Sequence, residues 1–292
     1  MVAKAHPLAE VFGFPTDNFS DEAVRYREKK LCPFNNKVPN CTKDKANDPL
    51  GVCSVVADDH LAITCPVRFR QNWIIVDDAA AFFFPANARW TSLTEVRLKD
   101  KHGKSAGNID IVLVSYDEHG KLTDFGALEI QAVYIHGNVR NPFEHYMSNP
   151  KANADMNWRD KPNYPGPDYL SSSRKRLAPQ LIFKGGILNI WRKKTAVAMD
   201  CGFFSTLPVL SEVPKERAEI AWLIYDLVLD KTTNRLVLTK HKTVYTAFDA
   251  SLDQITRSNG GDVNDFIALL QEKLDEKLND TPPDTQTVDQ ML

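Results

Sequence analysis

Between Asn108 and Ile135 the chain carries two dense apolar, β-branched runs separated by a short polar break. Ile109 to Tyr116 (IDIVLVSY) predicts one strand, and Leu122 to Ile135 a second, with Asp117-Glu118-His119-Gly120-Lys121 as the turn. A register symmetric about His119-Gly120 sets Glu118 opposite Lys121, Tyr116 opposite Thr123 and Asp110 opposite Glu129. Gln131, two residues beyond Glu129, points the same way. A bulge at Gly126 would shift this register by one residue. A second hairpin is expected from Ala218–Leu229 and Asn234–Phe248 around Asp230-Lys231-Thr232-Thr233, extending the sheet or packing against it.

Helical spacing governs the remaining apolar positions. Trp90, Leu93 and Val96 predict a helix over Arg89 to Leu98 that carries Glu95. Ser171 to Ser173 reads as a helix N-terminus, with the apolar face of Leu177 to Ile190 behind it. Phe266, Leu269, Leu270 and Leu274 predict an amphipathic helix over Val263 to Leu278, able to cap the fold or serve a dimer. The Thr/Pro/Asp/Gln-rich tail after Asp280 is expected to fray. Strands and helices alternate in the pattern of a mixed α/β protein.

Composition narrows the class. The chain has 292 residues, 43% hydrophobic and 25% charged, with a formal charge of −2, which excludes a chain disordered throughout. No apolar run reaches the roughly 18 to 20 residues needed to span a bilayer, and Met1 to Phe14 lacks a secretory pattern. A soluble, cytoplasmic protein without membrane partners is expected. Neither a P-loop nor a Gly-rich dinucleotide motif is present, so no nucleotide cofactor is expected. Charge is segregated, however: Arg140 to Lys194 holds eleven Lys/Arg against four Asp/Glu, while Asp262 to Leu292 holds eight acids against two Lys. Such segregation can build one positive face on a nearly neutral protein.

Four of the five cysteines, Cys32, Cys41, Cys53 and Cys65, fall within 34 residues, and Cys201 stands apart in an apolar stretch. The segment between them is rich in Asn, Lys, Pro and Asp and would order poorly without a cross-link. Four thiolates around Zn²⁺ or a single iron would supply that stability, and spacing chooses neither the metal nor metal over two disulfides or unrelated buried thiols. Cys201 is expected to pack as a small core hydrophobe.

Opposed carboxylates in an apolar hairpin repel unless a cation lies between them. Hard oxygen donors suit Mg²⁺, which activates water and neutralises charge on a phosphate. Gln131 stands where many metal nucleases carry Lys, and its amide can orient water but cannot act as a base. His136 and His145 are read as structural. The basic region, with Arg140, Arg174, Lys175, Arg176 and Lys184 among aromatic residues, supplies candidate phosphate or guanine contacts.

Asp110 followed by Glu129-Ile130-Gln131 resembles the PD-(D/E)XK nuclease core in its E-x-Q variant. The four cysteines with Gly126–Gln131 (GALEIQ), Gly137–Tyr146 (GNVRNPFEHY) and Leu170–Gly186 (LSSSRKRLAPQLIFKGG) resemble the NotI-type restriction endonuclease family over about residues 25 to 250. Ile109 replaces the usual Pro before the first Asp, and the chain is compact for the family. The resemblance implies an α/β restriction-endonuclease-like core, a mixed sheet flanked by helices, over residues 71–280. A four-cysteine metal-binding subdomain would occupy 25–70 and a flexible tail 281–292. Asp110, Glu129, Gln131 and Glu95 would organise catalytic Mg²⁺ and water, Glu95 from a preceding helix. Cys32, Cys41, Cys53 and Cys65 would hold structural iron. The implied protein is a homodimeric type II enzyme cutting both strands of double-stranded DNA at a GC-rich palindrome containing GGCC. Two rivals make different predictions. A noncatalytic DNA-binding protein would bind without cleaving, and a structure-specific repair nuclease would ignore sequence.

Overall fold

The computed structural model describes residues 6–35, 37–45, 47–57, 60–258 and 260–279. The chain forms two compact units, Met1–Ile255 and Thr256–Leu292. In the first, chain order runs β1 (Leu8–Val11), β2 (Phe14–Pro15), α1 (Asp21–Glu28), β3 (Asp44–Lys45), β4 (Asp48–Pro49), β5 (Val52–Val56) and β6 (Leu61–Ile63). Next come α2 (Ile74–Phe83), β7 (Arg89–Lys99), β8 (Ser105–Tyr116), β9 (Leu122–Gln131), β10 (Tyr134–His136), α3 (Arg140–Ser148) and β11 (Gly166–Asp168). A long helical stretch from Tyr169 to Ile190 leads to β12 (Thr195–Asp200), the turn of helix Cys201–Ser205, β13 (Ile220–Asp230) and β14 (Arg235–Thr246).

Six strands form the central sheet in the order β14-β13-β12-β9-β8-β7, with β12 parallel to both neighbours and the other pairs antiparallel. Alternation sorts its side chains. Ala196 and Ala198 of β12 join Ile111, Leu128, Ile130 and Leu223 beneath α2, while Val197 and Met199 join Trp222, Ile224, Leu177 and Leu181 beneath the long helix. Helices on both faces of a mixed sheet give the α/β architecture the pattern predicted. Gly126 lets α2 approach, since a Cβ there would lie 2.5 Å from the Phe83 ring.

A second sheet, β2-β1-β5-β6, carries the cysteine segment. It is tied to the core by a buried ion pair: Arg68 Nε donates to Glu10 Oε2 at 2.8 Å and Arg68 Nη2 to the Leu236 carbonyl at 2.8 Å, both side chains being fully buried.

The first hairpin keeps the expected register from Ile111↔Leu128 to Ser115↔Asp124. The irregularity is not at Gly126 but between Ser115 and Tyr116, so Tyr116 faces Leu122 instead of Thr123. The cause is the turn, where Asp117 Oδ1 accepts from the backbone N–H of both His119 and Lys121 and Gly120 sits at φ +76°. The second hairpin extends the sheet as its edge. Arg89 to Leu98 is strand β7, not a helix: Trp90, Ser92, Thr94, Val96 and Leu98 face inward at period two, and Leu93 is exposed. Three apolar residues at helical spacing were outweighed by a β-branched and aromatic strand that completes the sheet.

In the second unit, Val263–Asn279 is a helix as predicted, with Phe266, Leu269, Leu270 and Leu274 exposed. The tail 281–292 lies outside the described residues. No described helix is long and apolar enough to cross a membrane.

Candidate active site

The ladder between β8 and β9 ends at Ile111↔Leu128, one pair short of Asp110 and Glu129. There Asp110 Oδ2 accepts the Ile130 N–H at 2.8 Å, so the carboxylate takes a place in the backbone bonding and its plane is fixed. Leu128 and Ile130 face α2, so Glu129 and Gln131 face the long helix. Both are buried.

The helix completes the site. Asp168 caps it, its carboxylate accepting from Ser171 N at 2.9 Å, so the N-terminus lies slightly before the predicted serines. Two π-helical turns, Ser173–Leu177 and Leu181–Gly185, lie within it. From this helix Lys184 Nζ donates to Glu129 Oε2 at 2.5 Å and to the Asn108 carbonyl at 2.9 Å. Gln180 is hydrogen-bonded to the Gln131 amide, and Arg176 Nη2 donates to the Ile130 carbonyl at 3.2 Å. Burial, then the Asp110 charge, push the Glu129 carboxyl up to about 7, with Lys184 and Arg176 opposing the rise.

Two buried oxygens, Glu129 Oε1 and Gln131 Oε1, have no hydrogen-bond partner. Each leaves lone pairs unsatisfied in a buried setting, which is costly unless a cation or water meets them. The Asp110 charge acts on Glu129, so the acids at this end of the strands offer oxygen donors of the kind that suit Mg²⁺.

The other predicted residues are placed variously. Glu95 lies on β7 at φ +57°, exposed, with Lys37 Nζ 3.9 Å from its Oε1. In the β7–β8 register it lies level with Asp110, between the pairs Thr94↔Ile111 and Val96↔Ile109. Lys184, expected to meet DNA, is buried in the carboxylate cluster. Arg140 opens α3 and is paired with Asp44 (2.6 Å) and Asp48 (2.8 Å) of the cysteine segment. Arg174 and Lys175 are exposed. A groove bounded by Asn108 of β8 and by Gln180 and Phe183 of the helix opens beside Lys184.

All five cysteines are free thiols. An isolated bridge, Leu31↔Asn40, brings Cys32 toward Cys41, and β5–β6 pairing brings Cys53 toward Cys65. Burial pushes the Cys32 thiol up to about 11, and Cys65 and Cys41 add to the rise. Burial, then the neighbouring Cys65 and Glu10, push the Cys53 thiol well above its ordinary range. No three of the four sulfurs lie within 4.8 Å of one another, so the expected four-thiolate cluster is not preassembled here. Cys201 meets the expectation in part. It packs against the core as expected but only half-buried, at the rim, with its thiol also beside Asp226.

The residue that sequence reasoning missed is Lys184 as a site cation. Its signal was its place in the helix's buried stripe, Leu177-Leu181-Lys184-Leu188, where only a paired charge is tolerated.

A mixed sheet flanked by helices, with acids gathered where two strands part, is an endonuclease-like α/β core. Comparison with known families matches residues 17–238 to the family described as restriction endonuclease NotI. No curated protein matches the chain. The chain belongs to the NotI restriction endonuclease family, and is accordingly a DNA endonuclease that binds duplex DNA.

Proposed function

We propose that the chain is a type II enzyme of PD-(D/E)XK type that hydrolyses both strands of duplex DNA with Mg²⁺, at a GC-rich palindrome containing GGCC, as a homodimer. The observation that carries this reading is the pair of unpartnered buried oxygens, Glu129 Oε1 and Gln131 Oε1, beside the Asp110 carboxylate. Asp110 and Glu129 would hold the ion, which when bound supplies charge neutralisation at the phosphate and activation of water. The Ile130 N–H fixes Asp110 before substrate arrives, lowering the reorganisation needed. Gln131 Oε1 can accept a hydrogen bond from the attacking water and orient it, but takes no proton. Lys184, from the helix, brings an ammonium to a site whose E-x-Q motif lacks the usual lysine, favouring the ionised form of Glu129 and offsetting phosphate charge. Arg174 and Lys175, exposed on the same helix, and Arg176 supply contacts to DNA. Glu95 belongs to this reading only if β7 re-aims it, since its side chain faces Lys37.

The cysteine segment, residues 25–70, would be a structural subdomain holding iron on Cys32, Cys41, Cys53 and Cys65, with zinc as the alternative. Residues 71–280 would form the catalytic and DNA-binding core, and the enzyme would act in the cytoplasm.

Digestion of unmodified phage DNA with Mg²⁺ tests the reading. Discrete fragments with a common GGCC-containing end sequence support it. A smear retains a nuclease without restriction specificity, and duplex binding with no cleavage favours the noncatalytic reader.

A further inference from the structure

Among the described residues, one trio of Cys, His and carboxylate side chains has its donor atoms all within 4.8 Å of one another: Cys201, Asp226 and His241. We propose that these three side chains form a second metal site, for Zn²⁺, distinct from both the carboxylate cluster and the four cysteines. The inference stands apart from the nuclease reading.

The fold builds this trio from two adjacent strands, β13 and β14, and the helical turn that follows β12. Asp200 of β12 pairs with Tyr225 of β13, so the next residues, Cys201 and Asp226, emerge level with each other. On the other side of β13 the register jumps from Ile224↔Lys242 to Tyr225↔Lys240. His241 is the extra residue of that bulge, a device that re-aims a side chain. Its Nδ1 lies 3.3 Å from Asp226 Oδ2. That is wider than a charge-assisted hydrogen bond, at about 2.7–2.9 Å. It matches the separation of about 3.3–3.4 Å between nitrogen and oxygen ligands of tetrahedral zinc with bonds near 2.0–2.1 Å.

The donors select the ion. A thiolate, an imidazole and a carboxylate together suit Zn²⁺ and disfavour Mg²⁺ and Ca²⁺, which take oxygen alone. Asp226 and His241 are partly solvent-exposed, so an ion can enter and a water can fill the fourth position. Binding replaces the thiol proton with a sulfur–zinc bond and releases that proton to solvent. The nearby cation, Lys242, has its ammonium 5.2 Å over the Phe204 ring. The ion would link the edge strand β14 to β13 and to the helical turn after β12.

The test is a Zn²⁺ titration of the full-length chain, its resident metals having first been counted by elemental analysis, beside Cys201→Ser and His241→Ala. Circular dichroism of all three proteins checks the fold, and His241→Gln serves if the alanine variant misfolds. The expected result is one Zn²⁺ equivalent fewer per chain in each variant, or affinity lower by about a hundredfold or more. The rise in melting temperature with Zn²⁺ should be larger for wild type than for either variant. Equal stoichiometry and affinity in wild type and folded variants would overturn the proposal.

Discussion

Replacing Lys184 with Met keeps an unbranched side chain in the buried stripe of the helix and removes the ammonium that meets Glu129. The ion pair is 2.5 Å long between side chains 7% and 6% exposed, so solvent screens it little. A charge-assisted hydrogen bond of this kind contributes about 1.5–3 kcal/mol. At about 1.4 kcal/mol per unit, its loss raises the Glu129 proton affinity by about one to two pH units. Burial and the Asp110 charge push the Glu129 carboxyl up to about 7 with Lys184 in place. At pH 7 its ionised fraction therefore falls from about one half to between about one tenth and one hundredth. Carbon-13 NMR of the carboxyl groups in metal-free protein follows this directly, with Glu129→Gln assigning the resonance. Single-turnover cleavage at fixed Mg²⁺ is the kinetic counterpart: Lys184→Met should lose about 5- to 50-fold at pH 7 and recover toward pH 9. Lys184→Arg should move the acid limb less. An unmoved Glu129 titration, or an equal loss at every pH, would refute the electrostatic role given to Lys184.

Other consequences are independent of catalysis. Because Glu129 binds protons more tightly folded, near 7, than at its ordinary 4.5, metal-free protein should lose stability as pH rises between those values. The loss from this group is on the order of 3 kcal/mol, and urea melts with EDTA at pH 4.5 and 8 should show Glu129→Gln with a shallower dependence. Arg68→Met leaves Glu10 charged and buried, and should cost about 3–5 kcal/mol by denaturant melts. Little change there would show that the pair is dispensable. Gly126→Ala forces the Phe83 ring away and should lower stability by about 1–3 kcal/mol without altering a preformed Asp110–Glu129 pair. Cys41→Ser should lower the iron or zinc content of purified protein, as read by elemental analysis, and unchanged content would count against the proposed four-cysteine site.

The sheet-forming hairpins were legible because β-branched runs, turn residues and alternation agreed. The face shared by Asp110, Glu129 and Gln131 followed from that agreement. β7 was misread because Trp90, Leu93 and Val96 satisfy a helical period by coincidence, whereas pairing with β8 decides the outcome. That pairing is a long-range property that no local window contains. Lys184 was visible as a lysine in an apolar stripe, but its partner on β9 lies 55 residues away in sequence. Cys201 looked like a core residue because its sequence neighbours are apolar. What places it beside Asp226 and His241 is the parallel register of β12 on β13 and a bulge in β14, neither of which has a local signal.

The most direct test of the account compares wild type with Asp110→Ala on one mapped duplex, measuring equilibrium binding and single-turnover cleavage in Mg²⁺ together. The account predicts matched binding and cleavage slower by at least about a hundredfold, the loss expected when several kcal/mol of charge stabilisation is removed. Cleavage by Asp110→Ala at close to the wild-type rate would contradict it and move the active site elsewhere.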